Sequence, residues 1–399
     1  MIGLDEARAT ILAAVEPTEV VDVDLLGAVG LVLAEDVTAT VAVPGFDNAA
    51  MDGYAVRAAD CAALPASLAV VTTSSAGHPA DRAVGVGEAA RILTGAVMVD
   101  GADTVVPVEH TDGGDKIVEV RRCGAPGDHV RRAGGDLAAG AVVLDAGTRL
   151  GPASIGVAAT VGRASLPVRR RPSVAVVSTG DELVTPGSGP LGPGQIYESN
   201  RFVLAGLLAE GFGIVAETVA LGDDPATVRD VLGDLFTRHD VVISSGGVSM
   251  GGEYDVVKVV LADSGVDFWQ VAIKPAKPLA FGRVGAATVF GLPGNPVSSA
   301  VAFELFVRPA LRQMLGIEPA VPPLRTGVAG EVLRRRDDAK VHFVRVAAGA
   351  DGRVRSTGSQ SSNVMSALAA ADSLAVIPPN RLEIAAGERV DLIPLVGAR

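Results

Sequence analysis

The chain has 399 residues, 48% hydrophobic and 20% charged, with 48 glycines and 24 prolines, a balance that excludes collagen, coiled coil and wholesale disorder. Its length exceeds what one core usually fills, so two to four domains are expected. Lys and Arg number 34 against 46 Asp and Glu, and a net charge of −12 without a long basic block argues against nucleic acid as a partner.

In chain order, Leu4, Ala7, Ile11, Leu12 and Val15 recur near helical spacing ahead of Pro17 and predict one short amphipathic helix. From about 20 to 150 the texture changes to short Val-rich runs broken by Gly, Asp and Pro every eight to twelve residues, which predicts mostly β structure. A Pro- and Arg-rich stretch over 167–172 reads as the linker that ends it. Between about 173 and 318 apolar strands alternate with helices. Strands are expected at 174–177, 214–219, 241–243 and 287–290. Helices are expected at 200–210 (closed by Gly211), 225–238, 255–264 and 297–315. Such alternation predicts parallel βαβ units with helices on both faces. The last 80 residues return to short strands and turns, a small separate β domain. The uncharged run over 284–303 contains Pro293, Asn295, Pro296 and two serines, so it is no membrane span.

Cys61 and Cys123 lie far apart without metal-ligand spacing, which excludes a disulfide framework and fits a reducing cytoplasm. No signal peptide is visible in Met1 to Glu6. Arg169-Arg170-Arg171 and Arg334-Arg335-Arg336 read as solvated surface or linker.

Ligands of an open parallel sheet bind beyond the carboxyl ends of its strands, so the residues after each strand are the candidates. Three such loops should open onto one crevice: Ser178-Thr179-Gly180-Asp181-Glu182-Leu183, Ser244-Ser245-Gly246-Gly247-Val248-Ser249 and Gly291-Leu292-Pro293-Gly294-Asn295-Pro296. The Ser244 loop offers hydroxyls and glycines that let backbone N–H groups approach an anion, or it is a tight Gly turn. Leu292 to Pro296 aims a rigid loop at a helix start, where Asn295 would cap and Pro296 take the first helical position. Asp181 and Glu182 could hold a metal, or Asp181 could cap a turn. Asp224 reads as an N-cap before Pro225, leaving Asp223 without a structural task. Lys274 and Lys277, each followed by proline, sit on a stiff extended segment suited to an anion. A separate cluster, Asp47-Asn48-Ala49-Ala50-Met51-Asp52-Gly53-Tyr54, carries more chemistry than the hairpin turn that Asp52-Gly53 could form. Thr94-Gly95 and Gly134-Gly135-Asp136 lie in the same β region.

On these motifs the sequence resembles the molybdopterin molybdenumtransferase family, bacterial MoeA and the gephyrin E domain of animals. The match runs from the N-terminal helix through the Asp52 segment, the Thr94 and Asp136 loops, Thr179 to Glu182, Ser245 to Ser249 and Leu292 to Pro296. The resemblance implies an elongated multidomain chain of α/β plus β class. Its parts would be a linking domain (1–25, 40–50, 145–172), a β-rich domain (26–39, 51–144), a molybdopterin-binding α/β domain (173–318) and a C-terminal β domain (319–399). It implies a homodimer whose cleft is shared between subunits, with Asp52, Thr94 and Asp136 contributed from the opposite one. The implied reaction inserts molybdate into adenylylated molybdopterin and releases AMP, with Mg²⁺ held by Glu182, Asp223 and Asp255. Thr179, Gly180, Asp181, Ser245, Gly246, Gly247, Ser249, Lys274, Lys277, Pro293, Gly294, Asn295 and Pro296 would then bind the substrate. The adenylyltransferase that prepares this substrate and the apo-molybdoenzymes that receive the product are the implied partners.

The chain departs from the family pattern in four places. Met250-Gly251-Gly252-Glu253-Tyr254-Asp255 is one residue longer than usual, so either Glu253 or Asp255 takes the metal-side position. Gln270 stands where some relatives have Lys, and Ala276 where many have Gly. Ser361-Ser362-Asn363 replaces a frequent Gly-Ser-His. Two other readings are an adenylyltransferase-like enzyme, whose shorter chain leaves the Asp52 segment and C-terminal domain unexplained, and a non-catalytic scaffold.

Overall fold

The computed structural model describes residues 1–248 and 256–397. The chain forms two compact units, Met1–Asp22 with Gly30–Ala34 and Pro167–Arg399, and Val23–Val29 with Glu35–Leu166.

The unit of Val23–Val29 and Glu35–Leu166 is β-rich, as its texture predicts. Strands β1 (Gly53–Val56), β2 (Ala66–Ser74), β3 (Glu88–Ile92), β4 (Thr104–Pro107) and β5 (Ile117–Val120) form a sheet in the order β4-β1-β3-β2-β5. The period of two sends Tyr54 and Val56 into one apolar cluster and Ala55 into another, so both faces of β1 are covered. Asp52-Gly53 is therefore no hairpin turn. Gly53 opens β1 opposite Pro107, and a Cβ there would stand 1.9 Å from the Val106 carbonyl oxygen. No other residue fits that approach.

The other unit opens with α1 (Leu4–Ala14), which buries Ala7 and Ile11. Its main sheet comprises β6 (Val174–Thr179), β7 (Glu217–Leu221), β8 (Val241–Ser245), β9 (Asp267–Gln270), β10 (Pro278–Val284) and β11 (Ala287–Leu292), in the order β7-β6-β8-β11-β10-β9. The first four in that order are parallel, as expected, while β10 and β9 extend the sheet as an antiparallel edge missing from the sequence reading. Along β6, Val174 and Val176 pack into one core with α1 and α2 (Asn200–Phe212). Ala175 and Val177 pack into the other with α3 (Pro225–Arg238) and α4 (Val256–Asp263). Each such fully buried aliphatic side chain contributes about 1.5–3 kcal/mol, so the doubly covered sheet is the rigid frame of the site. Helix α2 runs past the expected stop at Gly211 and ends at Gly213, whose φ of 64° closes it. Asp224 caps α3 as expected, its carboxylate accepting the Thr227 N–H at 2.8 Å. The helix expected over 297–315 is α5 (Pro296–Ala302) and α6 (Arg308–Met314) joined by a π turn, Phe303–Val307. That turn buries Glu304, whose carboxylate binds Arg308 at 2.6 Å and the Val396 N–H at 2.8 Å.

The last 80 residues build β12 (Arg325–Val328), β13 (Val341–Ala348), β14 (Ser373–Ile377) and β15 (Arg389–Pro394), ordered β13-β14-β15-β12. A two-residue strand from upstream, Ile273–Lys274, pairs in parallel with β13 and completes the sheet, Lys274 in register with His342. Phe343, Leu374 and Ile393 join the same apolar core as the main sheet.

The stretch read as a linker marks the passage between units, yet it begins as strand Ser165–Arg169, and its arginines are engaged rather than solvated. Arg169 donates to the Thr18 carbonyl at 2.7 Å. Arg170 forks onto Asp240 at 2.6 and 2.8 Å and reaches Glu19 at 2.7 Å. The Arg170 fork, with Ser173 donating from its amide and hydroxyl, pulls the Asp240 carboxyl down to about 2. A carboxyl lowered on folding stabilises above its unfolded value near 3.8 and loses that contribution as pH falls toward 2. Asp240→Asn is therefore expected to cost about 2 kcal/mol at pH 7, with the difference from wild type closing between pH 4 and 2 in urea denaturation. No helix among the described residues is long and apolar enough to cross a membrane.

Candidate active site

The three loops expected to share a crevice do so. Ser178, Thr179, Gly180 and Glu182 from the end of β6, Ser245, Gly246 and Gly247 from the end of β8, and Gly294, Asn295 and Pro296 after β11 line one cleft of about 510 Å³. Gly246 and Gly247 have φ of 101° and 76° and make a tight turn in which the Gly246 N–H donates to the Leu292 carbonyl at 3.0 Å, tying the β8 and β11 ends together. Asn200, at the start of α2, ties two of the loops together by donating to the Ser245 hydroxyl at 2.8 Å and the Gly294 carbonyl at 2.6 Å. Among the described residues three carboxylates line this cleft, Glu182, Asp223 and Glu198. Glu198 is 4% exposed and paired with Arg201, accepting its N–H at 2.7 Å and its guanidinium at 3.3 Å. The Ser178 hydroxyl in the cleft wall is buried without a hydrogen-bond partner.

Asp223 has a structural task after all. Its carboxylate accepts the Asp181 N–H at 3.2 Å, and Asp181 returns the bond from the Asp223 N–H at 3.1 Å, clamping the β6 and β7 loops. Asp181 is thus a cross-loop clamp, and it is not among the residues that line the cleft. The expected seat for a phosphate at the start of α5 is partly taken, because the Val297 N–H already donates to the Ser362 carbonyl at 3.1 Å. Asn295 occupies the cap position without a side-chain cap bond, so its amide stays on the cleft. Ser249, Glu253 and Asp255 lie outside the described residues.

Lys274, Lys277 and Pro293 line a second cavity of about 690 Å³, not the cleft. Arg334, Arg335, Arg336 and Lys340 line it too, along with His342, and among the described residues no carboxylate lines it. Of the arginines read as solvated surface, Arg334 and Arg336 are indeed exposed and Arg335 is half-buried, and all three border this basin. Arg335 is fixed there by the carbonyls of Arg381 and Pro379 and by Asp338 at 3.5 Å. Asn295 and Asn363 line both cavities, so an acidic cleft and a basic basin share one wall. Arg345 backs it, fully buried, donating to the Ser359 and Ser361 carbonyls at 2.6 and 3.1 Å while Nε and Nη1 have no partner. A lone Arg in the apolar run of β13 was the available signal for it.

The lysine segment is not simply extended. Ala276 turns it with φ of 74°, a left-handed conformation that explains a glycine at this position. Ala276→Gly relieves that strain and adds unfolded-state freedom, so the two terms offset. The change is expected to leave stability within about 1 kcal/mol of wild type by thermal melting.

In the other unit, Asp52 and Thr94 form one pair. The Asp52 carboxylate accepts the Thr94 amide and hydroxyl, each at 2.7 Å, and the two bonds hold its pKa below the usual carboxylate range. Asp136 is exposed and bonded to neither. Asp47 instead binds its loop, accepting Arg132 at 2.6 Å and the Ala133 N–H at 2.8 Å.

No group of three His, Cys, Asp or Glu side chains close enough to hold one metal ion occurs among the described residues. Mg²⁺ commonly takes one or two carboxylates and completes its shell with water and substrate phosphates. Glu182 and Asp223 fit that mode.

Family models match along nearly the whole chain. The MoeA N-terminal region (domains I and II) matches residues 2–162, the probable molybdopterin binding domain 175–313, and the MoeA C-terminal region (domain IV) 334–395. The chain is 40% identical over 403 residues to molybdopterin molybdenumtransferase 2 of Mycobacterium tuberculosis, covering 98% of this chain and 99% of that one. It is 37% identical over 401 residues to the molybdopterin molybdenumtransferase of Haemophilus influenzae, covering 99% and 98%. A crystal structure of the molybdopterin biosynthesis MoeA protein from Pyrococcus horikoshii superposes with a TM-score of 0.81 at 28% identity, over all of both chains.

Proposed function

The chain belongs to the MoeA family of molybdopterin molybdenumtransferases and acts in molybdenum cofactor biosynthesis, and from that premise we propose how its two cavities divide the work. The observation that supports the division is the shared wall of Asn295 and Asn363 between a carboxylate cleft and a basin of six Lys and Arg side chains. The cleft takes adenylylated molybdopterin, its phosphates approached by the Gly247 amide and its edges by Thr179, Ser245 and Asn295. The basin takes molybdate, because a dianion is stabilised by lysines and arginines and repelled by carboxylates. This parts Lys274 and Lys277 from the glycine loop and assigns them to the oxyanion.

Chemistry then requires two exchanges. A water cleaves the phosphoanhydride and AMP leaves, restoring the phosphate monoester of molybdopterin. Two Mo–S bonds form as one oxo group of molybdate departs as water with the two thiol protons. Rate enhancement comes from positioning and fixed charge, with no covalent protein intermediate. Glu182 and Asp223 would hold Mg²⁺, which supplies charge neutralisation at the phosphates. Asp52 and Thr94, pre-bonded to each other, and Asp136 are assigned to the cleft of the opposite subunit in a homodimer, and the four-part domain division goes with that assignment. An adenylyltransferase reading leaves the basin without a use, since Arg334 to His342 belong to the C-terminal region.

The test is AMP release from adenylylated molybdopterin, with and without molybdate and Mg²⁺, followed by activation of an apo-molybdoenzyme. Release that needs both ions and yields active cofactor supports the reading. Release independent of molybdate would defeat the coupling of the two cavities.

A further inference from the structure

We propose that the basin takes up its oxyanion together with a proton, and that His342, held by Asp338, is the group that accepts it. The inference rests on the assignment of the basin to molybdate.

His342 lies on β13 with 7% exposure and lines the basin. Its Nε2 is 2.8 Å from Asp338 Oδ1. With Nε2–H directed to that carboxylate, Nδ1 is the nitrogen left to gain a proton. Lys274 stands opposite it in register on the strand to one side, and uncharged Ile377 on the other. Arg335 and Lys340 come from the segment that carries Asp338, and both reach that carboxylate, at 3.5 and 3.9 Å. Burial first, then Lys274 and Arg335, push the imidazole pKa down, while Asp338 holds it up, and the balance is below the usual value. The imidazole is therefore neutral at pH 7 in the empty basin.

A dianion reverses this balance. Two negative charges beside the ring offset the lysine and arginine field and favour imidazolium. The other cations that line the basin are lysines and arginines. Molybdate remains a dianion across the neutral range. Among the lining residues, His342 alone titrates near neutrality. The imidazolium then adds one positive charge beside the bound oxyanion, while the two protons of the departing water still come from the thiols.

Isothermal titration of molybdate into the full chain, repeated in buffers of different ionisation enthalpy and with sulfate as a second non-titrating dianion, measures the proton uptake directly. Wild type is expected to take up a substantial fraction of one proton per anion near pH 7 and to bind about three- to sevenfold tighter at pH 6 than at pH 8.5, for a shift of about one unit. His342→Gln, which can keep the bond to Asp338, should bind with no proton uptake and a flat pH profile. Asp338→Asn should retain uptake but move its midpoint to lower pH. Circular dichroism checks that both variants fold. Undiminished uptake in His342→Gln, or wild-type binding without uptake, overturns the proposal and leaves the basin assignment standing. Binding that is absent, or untouched by Lys277→Ala, overturns the basin assignment itself.

Discussion

Lys274→Ala is expected to weaken molybdate binding by about ten- to a hundredfold, and the double variant with Lys277→Ala by about a thousandfold, without change in fold. A charge-assisted hydrogen bond contributes about 1.5–3 kcal/mol, which is the first figure expressed as a ratio of dissociation constants. Binding of adenylylated molybdopterin should change little. Equilibrium dialysis with each substrate separately checks this, and an equal loss for both would move the lysines to the phosphates instead.

Glu182→Gln and Asp223→Asn are each expected to lower AMP release about a hundredfold and to raise the Mg²⁺ concentration needed for half-maximal rate. The amide variants isolate charge from structure. Asp223 Oδ2 accepts the Asp181 N–H, and an asparagine carbonyl can still accept it, so the clamp between the β6 and β7 loops survives. Asp223→Ala would break it and confuse a lost ligand with a lost loop. Retention of rate with both amide variants at limiting Mg²⁺ would remove these residues from the metal. Unchanged melting temperatures accompany the expected result.

The α/β frame was legible because its strands are continuous apolar runs and its helices carry their own stops and caps, as in Asp224-Pro225. The cleft was legible for the same reason, since residues after parallel strands converge by geometry. Three things were not. The antiparallel edge over 267–284 carries Asp267, Gln270 and Lys277 among its apolar residues and offered no periodic run. The basin itself was not legible because a triplet such as Arg334-Arg335-Arg336 has one composition whether or not the exposed face borders a cavity, and only the pairing of Lys274 with His342 brings it to the lysines. Asp223 looked unemployed because its partner, the Asp181 amide, belongs to a loop 42 residues upstream.

The strand Ile273–Lys274 has a consequence for how this protein can be cut or recombined. It leaves the region of the main sheet to complete the sheet of the last 80 residues, and Phe343, Leu374 and Ile393 return the favour by filling the main core. A fragment ending near residue 318 would carry a bare strand edge and an opened core, a template for aggregation rather than an independent module. Exchanging the C-terminal region between relatives would likewise bring together two half-basins never matched to each other. The basin's charge and the fold's integrity are thus inherited as one unit, and chimaeras joined on either side of Lys274 should differ sharply in solubility before any activity is measured.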